Sequence, residues 1–259
     1  MMGNVGAVFL FEWRRAMTIP RLAWWFALAA FPVFIIGLIR YTAPADTPRE
    51  LWIGFLFALI PMLVSMLGTF LWTTPAISAE LERRSWVYLT VRPNGGTAVL
   101  VGKYLAAVAW ALPPALVGLT IAVLVIGGKA GWQLWWPMAL LACLSCPAYG
   151  AIYLLLGVLM PRRAMVLAVA YTLIFELIIS FVPAVVNQIT IQYRLRALMV
   201  QWCELEIPGD RNSGVLSLIG EAPAWQHISV LFVMTIFFLI ASVLVLRASE
   251  FSSSAESDV

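Results

Sequence analysis

Charge is scarce in this sequence. Only 11% of its 259 residues are charged, where an average soluble domain carries roughly 25%. Histidine occurs once and cysteine three times, too few for a conventional metal site or a disulfide scaffold. Cys143 and Cys146 form a C-x-x-C inside an apolar run, where a core or lipid-facing thiol is the simpler reading than a redox or zinc pair. Cys203 has no local partner. The net charge of +3 lacks the basic excess of a nucleic-acid binder. A phosphate-binding glycine loop is also missing. The nearest string runs from Gly96 to Gly102-Lys103-Tyr104. It is one residue too long, ends in Tyr and opens an apolar run. His227 has no G-x-S-x-G serine to serve. No acidic pair lies at the end of an apolar run, as a metal-dependent lipid transferase needs. These absences argue against catalysis by this chain alone.

What is there is apolar. Hydrophobic residues make up 63% of the sequence and the mean hydropathy is +0.94. A soluble domain of this size cannot hide so much apolar surface in one core, and disorder needs the opposite composition. The solvent for most of the chain is lipid. A spanning helix needs about 20 mostly apolar residues, and six runs qualify: 22–39, 51–78, 98–126, 132–160, 164–186 and 228–246. They are continuous, without the alternation of a transmembrane strand. The expected fold is an all-α polytopic membrane protein with six transmembrane helices. The third run contains Pro113 and Pro114 and the fourth Pro137 and Pro147. The third, at about 29 residues, is roughly 43 Å long as a helix, so it tilts, kinks at the proline pair or projects into water. The first run starts too late for a cleaved signal peptide and reads as a retained span.

Six spans put both termini on one side. With that side cytoplasmic, Arg14, Arg15, Arg21, Arg83, Arg84, Arg92, Lys103, Arg162, Arg163 and Arg247 are inside, and Arg40, Arg49, Lys129, Arg194, Arg196 and Arg211 are outside. The excess inside fits the positive-inside rule. Trp24, Trp25, Trp52, Trp72, Trp132, Trp135, Trp136 and Trp225 sit near span ends, the level that suits indoles, while Trp110 lies within a span. A single transmembrane domain then covers 1–259: a connecting helix at 1–21, the bundle at 22–246 and a cytoplasmic tail at 247–259.

The segments between spans carry most of the charge. Val5, Phe9, Trp13 and Met17 recur every four residues as one helical stripe, with Glu12, Arg14 and Arg15 off it. This pattern fits a helix lying in the interface with its arginines toward headgroups, or a basic flank that only orients the first span. Residues 79–96 form the densest charge cluster and mix it with Trp86, Tyr88 and Leu89 before a turn at Pro93–Gly96. It reads as a docking helix or as a solvated loop. Arg162 and Arg163 make a second short connection on the same side. The outer segment 187–224 is too apolar for an open loop and too charged to span, which fits a re-entrant helical hairpin between spans 5 and 6. Glu176 is the one acid well inside a span. A charge there must be neutral, paired or facing water. It lines an aqueous or substrate cavity, or it is a structural carboxyl bonded to a neighbouring helix.

In order and motif the chain resembles the permease subunits of ABC-2 type (export-type) ABC transporters. Phe11-Glu12-Trp13-Arg14-Arg15 with Thr18-Ile19-Pro20-Arg21 is similar to that family's connecting helix. Glu82-Arg83-Arg84-Ser85-Trp86-Val87-Tyr88-Leu89, then Arg92-Pro93, then Gly102-Lys103-Tyr104-Leu105, is similar to its coupling helix and the opening of its third span. Asn94-Gly95-Gly96-Thr97 stand where the family usually has small or basic residues after the proline. The resemblance implies a plasma (inner) membrane permease that exports substrate by alternating access. It implies a second permease copy, as homodimer or similar heterodimer, and a separate ABC ATPase subunit that binds ATP and Mg. This chain itself would hold no cofactor. Residues 82–89 would dock on the ATPase, Arg162 and Arg163 would make a second contact, and Glu176 would sit at the translocation path. The rival from another class is a non-transporting membrane scaffold or assembly factor, which would show the same spans without an ATPase. Nothing in the apolar spans names a cargo.

Overall fold

The computed structural model describes residues 2–42, 47–82, 95–181, 185–205 and 222–248. Every regular element among them is helical. Helix α1 is Met2–Ala16 and α2 is Ile19–Thr42. Residues 49–82 form one long helical run: α3 (Arg49–Phe57), a π-helical turn (Ala58–Val64), α4 (Ser65–Thr73), a 3-10 turn (Thr74–Ala76) and α5 (Ser78–Glu82). Next come α6 (Gly95–Ile126), α7 (Gly128–Leu159) and α8 (Ala164–Tyr171), which runs on as a π-helix over Thr172–Ile178. The last two are α9 (Ile191–Trp202) and α10 (Ala224–Ala248).

Five helical segments are long and apolar enough to cross a membrane: Ile19–Thr42, Arg49–Glu80, Gly95–Ile126, Gly131–Leu159 and Ala224–Ala248. They match five of the six expected runs and extend most of them. The sixth, 164–186, is helical over its described residues, with changes of pitch at Thr172 and Ile179, and is not among the five; residues 182–184 lie outside the described residues. The proline pair does not interrupt α6, which runs helical for 32 residues. Of the expected outer hairpin, helix α9 lies among the described residues, and residues 206–221 lie outside them.

Helices α6 and α7 are the centre. They reverse across a single non-helical residue, Gly127, and both Gly127 (φ 78°) and Gly128 (φ 70°) occupy the left-handed region that glycine enters without strain. Helix α2 packs on α6, α4 lies between α6 and α7, and α10 packs on α7. Pro61 explains the π turn. It has no N–H to donate back to the preceding turn, and its own carbonyl accepts from the Ser145 hydroxyl of α7 at 2.7 Å. The core joins Ile53, Leu56, Ile60, Leu119, Leu134, Met138, Tyr149 and Leu198, all fully buried. Apolar side chains also cover the outside: Trp24, Phe34, Val166, Ile178, Phe232 and Phe237 are each more than half exposed. A helix apolar on every face belongs in lipid.

A smaller apolar cluster fixes one end of the bundle. Ala76, Ile77, Val99, Leu100, Val158 and Leu246 meet there. The end of the 49–82 run, the start of α6, the end of α7 and the end of α10 are therefore neighbours. The 161–163 turn packs against α5 at this same end.

Candidate functional site

Two polar clusters stand out in this apolar bundle, one at the end just described and one deeper.

The first is an ion network. Lys103 lies in the third turn of α6, almost wholly buried. Its Nζ donates to Glu12 Oε1 at 2.7 Å and to Glu80 Oε1 at 2.8 Å. Arg15 reaches the same two oxygens, at 3.5 Å and 3.3 Å. One ammonium and one guanidinium thus bind two carboxylates, the four side chains coming from α1, α5 and α6. Breaking one partner of such a buried set leaves an uncompensated charge, at a cost of about 3–5 kcal/mol. Glycine makes the approach possible: a Cβ on Gly102 would stand 2.7 Å from Val8 Cβ and 3.1 Å from the Val5 carbonyl. Val8 breaks the expected stripe on α1 because it faces Gly102.

The sequence expectation for α1 is corrected in part. Arg14 is exposed, as expected for a headgroup-facing arginine. Arg15 and Glu12 instead turn inward to Lys103 and Glu80, since a buried ammonium must find carboxylates. Trp13 packs edge-on to Trp110 with ring centroids 5.3 Å apart, and Trp110 in turn meets Trp72 at 6.3 Å. The Arg21 guanidinium lies over Trp72, 5.3 Å from the ring centroid. Of the expected docking residues, Glu82 ends α5, while Arg83, Arg84, Ser85, Trp86, Tyr88 and Leu89 lie outside the described residues. Arg162 and Arg163 are exposed on the turn beside α5.

The second cluster surrounds Glu176, fully buried in the π-helical turn. Its carboxyl receives four donors. Tyr171 Oη donates at 2.8 Å and Tyr149 Oη of α7 at 3.2 Å. The backbone N–H groups of Ile191 and Gln192 donate at 3.4 Å and 3.0 Å. Those are the first two residues of α9, and the third, Tyr193, donates its N–H to the Thr190 side chain. Glu176 and Thr190 together cap α9. The brace is reciprocal, because Arg196 of α9 donates to the Ser180 carbonyl at 3.2 Å. Burial lowers the pKa of Arg196 from its ordinary value. At the other end of the helix, Cys203 is buried and its thiol is pushed up to about 11.

Sequence reasoning singled out Glu176 but not Tyr149 or Tyr171. Lys103 carried a readable signal, since it lies inside the expected third span, where a charge demands a partner. Glu80 carried the matching one, just past the expected end of the second. No family model matches this chain, and no curated protein matches it either.

Proposed function

We propose that this chain is the membrane-spanning permease subunit of an ABC-2 type transporter, exporting substrate by alternating access driven by a separate ATPase subunit. The observation that carries the reading is the ion network. It ties the amphipathic helix α1 to the two helix ends that flank segment 83–94, through Glu80 on one side and Lys103 on the other. A short segment so anchored can pass a push from outside the membrane to α1, the second span and the third span together. The 161–163 turn beside α5 offers a second point of contact at the same end. In this reading residues 164–181 are the fifth crossing, about 27 Å long at 1.5 Å per residue, close to the hydrocarbon thickness. The chain then crosses six times, with both termini cytoplasmic. ATP and Mg belong to the partner, and exposed apolar faces serve lipid and a second copy. Glu176 joins the fifth crossing to the outer helix α9, so that the two move as one body.

The test is co-purification. The full chain, solubilised mildly from its native membrane, should bring down an ATPase with phosphate-loop motifs. Charge reversal at Arg83 and Arg84 together should release it while leaving the permease folded. A chain that purifies without any ATPase would refute the reading and leave a scaffold role.

A further inference from the structure

Two wide, π-helical turns interrupt the described helices, at Ala58–Val64 and Thr172–Ile178. Turns of this kind are rare and gather at functional sites. The first contains Pro61, whose missing N–H leaves a regular turn one bond short. The second has no such cause, since its sequence holds neither proline nor glycine. Its cause lies on α7. Ser145, Tyr149 and Tyr153 are spaced four residues apart, which puts them on one stripe, and all three are fully buried. Ser145 donates to the Pro61 carbonyl of the first wide turn. Tyr149 donates to Glu176 in the second. Tyr153 Oη lies 2.7 Å from Thr172 Oγ1, which already donates to the Ala168 carbonyl, so Tyr153 is the donor there. One stripe of α7 thus pins the second turn at its first residue and at its fifth.

Relaxing that turn to α-helix would rotate the residues beyond it by about 100° and advance them by about 1.5 Å, one residue's share of each. Glu176 lies inside the turn and Ser180 just past it. Helix α9 is bonded to both, through the Ile191 and Gln192 N–H groups and through Arg196. A change of register therefore moves α9 or breaks one of its ties. We propose that residues 172–178 form a register switch, held wide by the Tyr149 and Tyr153 hydroxyls and becoming α-helical when α7 shifts and releases them. Single hydrogen bonds inside membrane proteins are weak, so two hydroxyls are enough to set the balance. Packed helices pass between discrete arrangements rather than bending continuously. The Pro61 turn is no such switch, because relaxation there restores no bond. The inference is independent of an ATPase partner: any force that slides α7 along this segment would operate it.

Nitroxide scanning of the full chain tests it. Its three cysteines are replaced, and one label at a time is placed at 173–175 and 177–180. The readout is the collision rate with oxygen, which reaches exposed sites in lipid and in water alike. In the unaltered register Ile178 is 62% exposed and Ser180 fully buried, so label 178 should collide faster than labels 177 and 180. In the Tyr149→Phe, Tyr153→Phe double variant the pattern beyond the turn should shift by one residue, so that label 177 becomes the fast one and label 179 the slow one. Thr172→Val removes the hydroxyl that Tyr153 meets without touching α7. It should give part of the same shift, and adding Tyr153→Phe to it should give little more. Ser145→Ala should leave the pattern at 173–180 unchanged. The proposal is overturned if the double variant and Thr172→Val, each folded by helicity and elution volume, keep label 178 faster than label 177. It is also overturned if label 177 is already the faster in the unaltered chain.

Discussion

Replacing Glu176 with Gln asks how tightly α9 is held. The carboxyl has two acceptor oxygens. Oε1 takes Tyr171 and the Ile191 N–H, and Oε2 takes Tyr149 and the Gln192 N–H. A Gln side chain keeps one oxygen and presents an NH₂ in place of the other. The tyrosine facing that NH₂ can turn its hydroxyl and accept. The backbone N–H facing it cannot, and it becomes a buried orphan at the first turn of α9. Such an orphan costs about 1–3 kcal/mol. Weakening of the favourable helix-end electrostatics adds about 0.3–1 kcal/mol. Hydrogen bonds measured inside membrane proteins average nearer 0.6 kcal/mol, so a total of about 2 kcal/mol is expected. In a chain of this size that corresponds to a fall in Tm of about 4–8 °C. Steric trapping in bicelles reads the free energy, and hydrogen exchange reads the local effect: the Ile191 and Gln192 amides should lose protection before those of α6 or α7. Glu176→Ala should cost more, because both amides are then orphaned. The reasoning is refuted if Glu176→Gln stays within about 0.5 kcal/mol of the unaltered protein with the α9 amides still protected.

Other outcomes follow from the same geometry. Lys103→Met removes the closer of the two cations that Glu12 and Glu80 share, leaving Arg15 at 3.5 Å and 3.3 Å, and should destabilise by about 3 kcal/mol. Adding Glu80→Gln should recover part of that, a coupling that a double-mutant cycle measures. Gly102→Ala drives a methyl into Val8 and should loosen α1, seen as faster proteolysis there. Gly37→Ala meets nothing within 4 Å and serves as the neutral control. For Cys203, burial holds the thiol neutral up to about pH 11, and only the thiolate is nucleophilic. In a variant with Cys143 and Cys146 replaced by Ser, N-ethylmaleimide labelling should be slow at pH 8 and accelerate about tenfold per pH unit toward 10. A flat profile would contradict the burial of Cys203.

The apolar runs were legible because lipid leaves a chain few options. Continuous hydrophobicity over 18 or more residues means helix, and five of the six runs are long helices here. The seven expected inner basic residues that are described, from Arg14 to Arg247, gather around one end of the bundle. The run at 164–186 was less legible. Its composition is that of a span, but its change of pitch at Thr172 goes with contacts from elsewhere: Tyr153 meets the Thr172 hydroxyl at 2.7 Å, and Tyr149 reaches Glu176.

Composition determined that lipid is the solvent for most of this chain, because the cost of apolar surface in water is summed residue by residue, and the unbroken apolar runs determined that it crosses as helices. The tertiary structure decided where the scarce charge points. Arg14 and Arg15 are neighbours in sequence, yet one faces outward and the other closes on Glu80, 65 positions away. Glu176 reads in the sequence as lining a cavity or bonding to a neighbouring helix, and only the approach of α9 brings the Ile191 and Gln192 N–H groups to its carboxyl. Helical periodicity places a side chain on a face. Only packing says what that face meets, and for a buried charge the partner decides whether it is tolerated.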